Sequence, residues 1–479
     1  MKYFKNVLNK MLKRLVTERF FKRVKRSQAV PCSQAYQQIC KRLSALSFMA
    51  LFLMAPPGMA ESQSLASADP QLKHLFALAL AHNPNIELAQ SEVDINGHQL
   101  MASQSEEGLS VRFISELSYA WVEENDFGRT ASQLRASYPL YQPEKKARSQ
   151  VSQQAVEIAK QDVKISQQDI LLEIAMNYYE YWQQQAEWEF LGKEQQTYQD
   201  LLKQTKSRFQ LGYQGLNDLT EIQAKIDSLQ AQQIAVQQKM QNLYFSLTEL
   251  VNSPFDMSGF TGVGVLPKGL TSLTNLASQP NINLNENDQA WSDLIHHNPA
   301  IMAIDKQTRL ISKQIEVDRL SDGPQIELFT AYIHNDSNGY FYDDMQGLQG
   351  GVQINVPIYL SGRTDAKVAK TRASMQQSEI RKTIMIRKVT RIAQQSQASY
   401  ELGLQQLVLL NKAVESNKEA ITAIENGMST GNRNMIDLLN AYSDLHKAEK
   451  TIPILNAQLW QHWWQFQWAT GGLAEAEHP

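Results

Sequence analysis

The chain has 479 residues, 43 % of them hydrophobic, with 46 basic against 49 acidic side chains and two cysteines; that length suffices for two or three ordinary domains. Twelve of the basic residues and a single acid, Glu18, fall within residues 1–42, as do both cysteines, Cys32 and Cys40. Beyond residue 60 the balance is 34 basic to 48 acidic, a charge of about −14, which excludes nucleic acid as a partner and, with the cysteines gone, excludes disulfides, thiol nucleophiles and cysteine metal sites.

Residues 1–60 read as a secretory signal: a basic stretch, an apolar run Leu43–Ala55, then Pro56-Pro57-Gly58-Met59-Ala60 ending on small residues. The run, about 13 residues, is too short for a bilayer-spanning helix, which needs roughly 20. The basic stretch is long, and Met11 is a second candidate start. Glu61 opens the mature chain where a lipid-anchored protein would carry Cys. No later segment is apolar over the length a membrane helix requires, so the exported chain is either free of the membrane or inserted as a β-barrel.

Residues 61–252 form a first predicted unit. A helix is expected over about Leu72–Ser105, followed by two alternating segments. In one, Val111, Phe113, Leu117, Tyr119 and Trp121 oppose Arg112, Glu116 and Ser118; in the other, Leu134, Ala136, Tyr138 and Leu140 oppose Gln133, Arg135 and Ser137, across a polar loop Glu123–Arg129. Strands of about ten residues with one apolar and one polar face suit a transmembrane barrel, and equally a two-faced sheet of a soluble protein. A proline-free helix then runs over about Lys145–Leu211, long enough to reach roughly 100 Å at 1.5 Å per residue. It carries two apolar columns at a seven-residue repeat, Val151, Ile158, Ile165, Leu172, Tyr179, Ala186 and Val156, Val163, Ile170, about 200° apart, so it should pack on two sides like a stave in a wall rather than as a single coiled-coil seam. The turn Leu211-Gly212-Tyr213 leads into a return helix.

Residues 253–287, rich in Gly, Pro, Asn and Ser, read as a linker. Residues 288–471 then repeat the first unit: a helix Gln289–Leu320, a strand with Ile326, Leu328 and Tyr332 opposite Gln325 and Glu327, a loop His334–Gln346, a strand with Val352, Ile354, Val356 and Ile358 opposite Gln353 and Asn355, a helix Arg363–Gly427, a turn Thr430-Gly431-Asn432 and a last helix, before a tail 472–479. Four markers recur in order: Asn83-Pro84 and Asn298-Pro299, Tyr138–Tyr141 and Val356–Tyr359, Gly212 and Gly431, Asp218 and Asp437. One structural unit is built twice. With two strands per unit, four strands cannot close a barrel, whose smallest form has about eight, so insertion requires an oligomer.

This order, doubled along essentially the whole mature chain, resembles the TolC-type outer-membrane efflux factors. The resemblance implies a mainly α protein with a transmembrane β-barrel: a homotrimer whose three sets of four strands make a 12-stranded barrel, above a helical tunnel that crosses the periplasm and tapers shut at the helix tips. It implies an outer-membrane channel for efflux or type I secretion in a Gram-negative cell, without catalysis or cofactor, partnered by a periplasmic adaptor and an inner-membrane pump of ABC or RND type. A periplasmic coiled-coil scaffold is the alternative, and the strand pairs argue against it. By the same resemblance Leu211, Gly212, Tyr213, Thr430, Gly431 and Asn432 are adaptor-facing tips. Arg433 matches the gating Arg, Asp218 its carboxylate partner with Asn217 beside it, and Met428 stands where the family has Tyr, which weakens the latch. Asp437 matches the first Asp of an acidic constriction and Asn440 replaces the second, while Glu221, spaced from Asp218 as Asn440 is from Asp437, offers the missing charge.

Other patterns carry little. Gly427-Met428-Ser429-Thr430-Gly431 fits G-x-S-x-G, but helix rather than strand is expected before the Ser. Gly262-Val263-Gly264 lacks a third glycine, and His296-His297 lacks further ligands at metal spacing. Trp460, Trp464 and Trp468 form a helical stripe, with Trp463 beside it, that reads as packing.

Overall fold

A computed structural model describes residues 69–121, 127–213, 215–256, 291–337, 345–430 and 432–473. The expected signal, most of the linker, Gly431 and most of the tail lie outside the described residues. The chain runs α1 (Pro70–His82), α2 (Pro84–Ser105), β1 (Ser110–Ala120), β2 (Phe127–Tyr141), α3 (Pro143–Gln210) and α4 (Leu216–Val251). A short helical stretch at 291–295 precedes α5 (Pro299–Leu320), β3 (Gln325–Ser337), β4 (Met345–Asn355), α6 (Arg363–Ser429) and α7 (Met435–Thr470).

The single helix expected over Leu72–Ser105 is two helices. Pro84 cannot continue α1 because it lacks the N–H that would bond back four residues. Asn83 caps α2, its Oδ1 accepting from Asn85 N at 2.8 Å, while its Nδ2 donates to Leu250 O at the far end of α4. The second unit breaks in the same way. Asn298 Oδ1 accepts from Ala300 N at 3.0 Å, and Nδ2 donates to Trp468 O and Ala469 O at the end of α7. Both asparagines are buried, so each recurring Asn-Pro pair is a cap and also a staple to the return helix.

The four strands make one antiparallel sheet in chain order. Both loops are shorter than expected: β2 already begins at Phe127, β3 continues to Ser337 and β4 starts at Met345. The last strand stops at Asn355, so Val356 and Ile358 lie beyond it, as Pro357 requires. The apolar face is bare in the single chain: Phe113 is 69 %, Leu117 74 % and Leu348 80 % exposed. Tyr119 and Trp121 meet edge-on at 5.1 Å at its outer rim.

Helices α3 and α6, of 68 and 67 residues, are the long staves, each about 100 Å long. Along its length α3 packs against α2, α4, α5 and α7. Tyr179, Ala186 and Ile170 are buried; the other column positions are half-buried. No helix among the described residues is long and apolar enough to cross a membrane.

The main core joins α1, α3 and α7. Leu72, Phe76, Ile174, Tyr178 and Tyr179 close on Trp460, Trp463 and Trp464, so the tryptophan stripe is packing, with Trp468 Nε1 donating to Asp169 at its margin, 2.7 Å away. Two smaller clusters lie nearer the helix tips, one in α3/α4 around Leu191, Ile222 and Ile226, one in α6/α7 around Val414, Ile421 and Met435; Leu201 and Leu439 pack against both.

Candidate functional site: the helix tips

The two tips are built alike, in register. Helices α3 and α6 end at Gln210 and Ser429, α4 and α7 start at Leu216 and Met435 and end at Val251 and Thr470, each pair 219 positions apart. At the first tip Tyr213 N donates to Arg208 O at 3.0 Å and Gly212 takes φ +81°, the left-handed conformation that closes a helix and that glycine adopts without strain. At the second, Asn432 N donates to Gly427 O at 2.9 Å, the same bond displaced by 219 positions. Thr430 Oγ1 donates to that carbonyl as well, at 3.0 Å. Leu211 and Tyr213 are 71 % and 79 % exposed, large apolar groups held out at the end of a rod.

Beyond the turns the tips differ. Helix α7 starts with a full capping box: Asn434 Oδ1 accepts from Asp437 N at 2.8 Å and Asp437 Oδ2 accepts from Asn434 N at 3.2 Å. Gly215 occupies the matching place before α4 and supplies no side chain. Asp218 therefore sits at the same helical position as Asp437 without its capping partner, and a carboxylate there still gains from the helix dipole. Arg433 folds back over Gly427, where a Cβ would come within 2.7 Å of the Arg433 Cγ, and Arg433 Nη1 reaches Asp437 Oδ2 at 3.8 Å. Its side chain remains 57 % exposed.

The expected mouth residues fall into two sets. Arg433, Asp437 and Asn440 line a groove of about 250 Å³ between α6 and α7, with Asn417 and Asp444. Asn217, Asp218 and Glu221 stand on α4, with Asn217 and Glu221 exposed and Asp218 half-buried. Within one chain, and among the described residues, Arg433 pairs with Asp437 rather than with Asp218. Met428 turns into the α6/α7 cluster and a cleft of about 490 Å³ between α3 and that pair.

Sequence reasoning missed several groups here. Tyr442 OH donates to Glu425 at 3.1 Å, tying α7 to α6, and burial with that carboxylate pushes the phenol up. His446 stacks on Tyr442 and is held below its ordinary value by burial, against the opposing pull of Glu194 and Glu449. The pair α6/α7 is tied to the pair α3/α4 by Lys450–Glu187 at 3.2 Å, Lys225 Nζ to Ser443 Oγ at 3.4 Å and Tyr198 OH to Leu439 O at 3.3 Å. No local motif announces these ties, because each joins positions more than 200 residues apart.

The sequence profile of the outer membrane efflux protein family matches residues 75–253 and again residues 290–472. The chain belongs to that family. The double match coincides with the two runs of helix, strand pair and helices. Outer membrane protein TolC of Vibrio cholerae is 23 % identical over 335 residues, 68 % of this chain and 71 % of that protein. The proteases secretion protein PrtF of Dickeya chrysanthemi is 22 % identical over 60 % of this chain and 61 % of its own. Among solved structures, the outer membrane protein VceC of Vibrio cholerae has a TM-score of 0.71 at 15 % identity, covering 86 % of this chain and 98 % of its own. The CmeC outer membrane channel of Campylobacter jejuni gives 0.70 at 13 %, over 85 % and 87 %. The fold of this family member is thus that of the outer-membrane channels, with a helical tunnel below a barrel sheet.

Proposed function

We propose that the protein is the outer-membrane channel of a tripartite efflux or type I secretion system, a homotrimer working as a conduit without catalysis. The observation that carries this is the four-stranded sheet with a bare apolar face, set on helices of 68 and 67 residues. A bare face of this kind is stable against lipid and costly against water. Three copies close the sheet, and the helices then span the periplasm to an adaptor and an inner-membrane ABC or RND pump. PrtF is by name a protein of protease secretion and CmeC a channel, and the reading here covers both uses. Residues 1–60 act as the export signal, 61–252 and 288–471 as the two copies of the unit, 253–287 as the linker and 472–479 as the tail. A coiled-coil scaffold in the periplasm would have no use for the apolar sheet face. The test is fractionation of cells making the full chain: the protein is expected in the outer membrane as a detergent-soluble, heat-modifiable trimer that conducts in planar bilayers, and a monomer in the soluble periplasmic fraction overturns the reading.

At the mouth, Arg433 turns back on Asp437 inside its own chain, so its bond to Asp218, beside Asn217, is assigned to the contact between neighbouring protomers. Leu211, Gly212 and Tyr213 with Thr430, Gly431 and Asn432 present the adaptor-facing tips, supported by the exposure of Leu211 and Tyr213. Asp437 makes the acidic constriction, with Glu221 on the adjacent helix pair supplying the charge that Asn440 lacks. Rings of carboxylates favour cations. Asp437→Asn is therefore expected to remove most of the cation preference read from reversal potentials in a salt gradient, and Glu221→Gln part of it. If Glu221→Gln changes nothing while Asp437→Asn abolishes the preference, Glu221 has no share in the ring.

A further inference from the structure

The polar face of the sheet carries a charge arrangement that the mouth does not explain. Arg112 of β1 and Arg135 of β2 are direct cross-strand partners. Their side chains leave the same face with Cβ atoms about 5 Å apart, a like-charge pairing that weakens a sheet unless it is used. Arg135 is held in place. Its Nη2 donates to Glu327 at 3.2 Å and to Gln353 at 2.8 Å, and its guanidinium lies 4.5 Å from the centre of the Phe329 ring. That ring in turn covers Gly351, where a Cβ would stand 3.6 Å from it. Arg112 is exposed and has no hydrogen bond or ion pair among the described residues.

Both arginines alternate with the bare apolar face of Phe113 and Leu134, so in a closed barrel they point into the lumen. They lie close to the helices, Arg112 being two residues into β1, about 7 Å from its start. Glu116, the next acid of β1 on that face, stands about 13 Å farther along the strand. Glu327, opposite Pro139, stands as far along the sheet in the other direction but is reached by the Arg135 side chain, so among the described residues Arg135 has a carboxylate partner and Arg112 has none.

We propose that Arg112 and Arg135 form a lumenal arginine belt at the base of the barrel that attracts oxyanion groups of cargo, carboxylate, phosphate or sulfonate, above the acidic mouth. Rings of Arg or Lys favour anions as rings of carboxylates favour cations. The belt rests on the trimeric channel proposed above, and its test is read from the barrel side, away from the mouth. A trisulfonated pyrene dye is added on that side of wild-type channels in planar bilayers and the half-blocking concentration measured. Arg112→Gln is expected to raise it about five-fold, by removing one cation per protomer from a confined passage with low-dielectric walls. Glu327→Gln frees Arg135 from its carboxylate and is expected to lower it. Both differences should vanish in about 1 M salt, where the screening length falls to roughly 3 Å. An unchanged value in a conducting Arg112→Gln channel, or both variants moving the same way, overturns the belt. Should Arg112→Gln fail to assemble, Glu327→Gln decides alone: a lower value supports the belt, an equal or higher one overturns it. A wild-type protein that does not conduct overturns the channel reading and the belt with it.

Discussion

Arg433→Ala is expected to raise the single-channel conductance of the trimer in planar bilayers several-fold. The tip geometry sets the terms. Arg433 is laid over Gly427 and pairs loosely with Asp437 of its own chain, at 3.8 Å and with its side chain 57 % exposed. An exposed pair of that kind contributes at most about 1 kcal/mol. A charge-assisted bond to Asp218 in a partly dry mouth is stronger, about 1.5–3 kcal/mol. In the proposed trimer the arginine would gain by reaching outward to a neighbouring protomer, and three such bonds would bias the mouth shut. Met428 adds nothing polar to the latch, since it is packed with Val414, Ile421 and Met435. On the proposed latch, the closed state would accordingly be held less firmly than a tyrosine at that place would hold it. Conductance of Arg433→Ala no higher than wild type sinks the latch.

Trp464→Ala is expected to give the largest loss of stability, about 3–5 kcal/mol for removing a fully buried large aromatic side chain. Trp464 is 0 % exposed and lies edge-on to Phe76 at 5.3 Å and to Trp463 at 4.7 Å. Each such pair contributes about 0.5–1.5 kcal/mol beyond the area it buries. The site is where α1, α3 and α7 meet, so the cavity cannot collapse without moving the middle of a 68-residue helix. The measurement is the midpoint of thermal loss of helix in detergent, at one scan rate because unfolding of such an assembly is governed by a rate. Trp468→Phe serves as the contrast. Trp468 is half-buried and would lose the bond to Asp169, which contributes about 1 kcal/mol or somewhat more with a charged acceptor. Equal midpoints for Trp464→Ala and wild type would mean that this core does not hold the assembly.

Much of this arrangement was legible in the chain because it rests on local rules. Proline-free heptad columns make long helices, alternation makes strands, and a glycine in a left-handed turn between helices makes a tip. The recurring Asn-Pro pairs were legible as markers but not as what they are. The capping half of their role is local, whereas the staple from Asn83 to Leu250 and from Asn298 to Trp468 requires segments about 170 residues apart to meet. A single helix was expected where Pro84 makes two although that cause is local: hydrophobic periodicity continues across a break made by a missing hydrogen-bond donor. The end of β4 at Asn355, ahead of Pro357, follows the same physics.

The candidate site divides along that line. The sequence by itself determined the order of elements in each half and the two helix–turn–helix tips, and left the export signal and the mouth residues as expectations, because turn chemistry and helix starts depend on neighbours in the chain. Only the tertiary structure decided which charges meet. Arg135 reaches from β2 to Glu327 and Gln353, and Lys450 crosses to Glu187. Coulomb energy falls with distance in space and is blind to distance along the chain. Strand register and helix pairing set the spatial distances: the antiparallel ladder brings Arg135 to Glu327, and apolar packing between the helices brings Lys450 to Glu187.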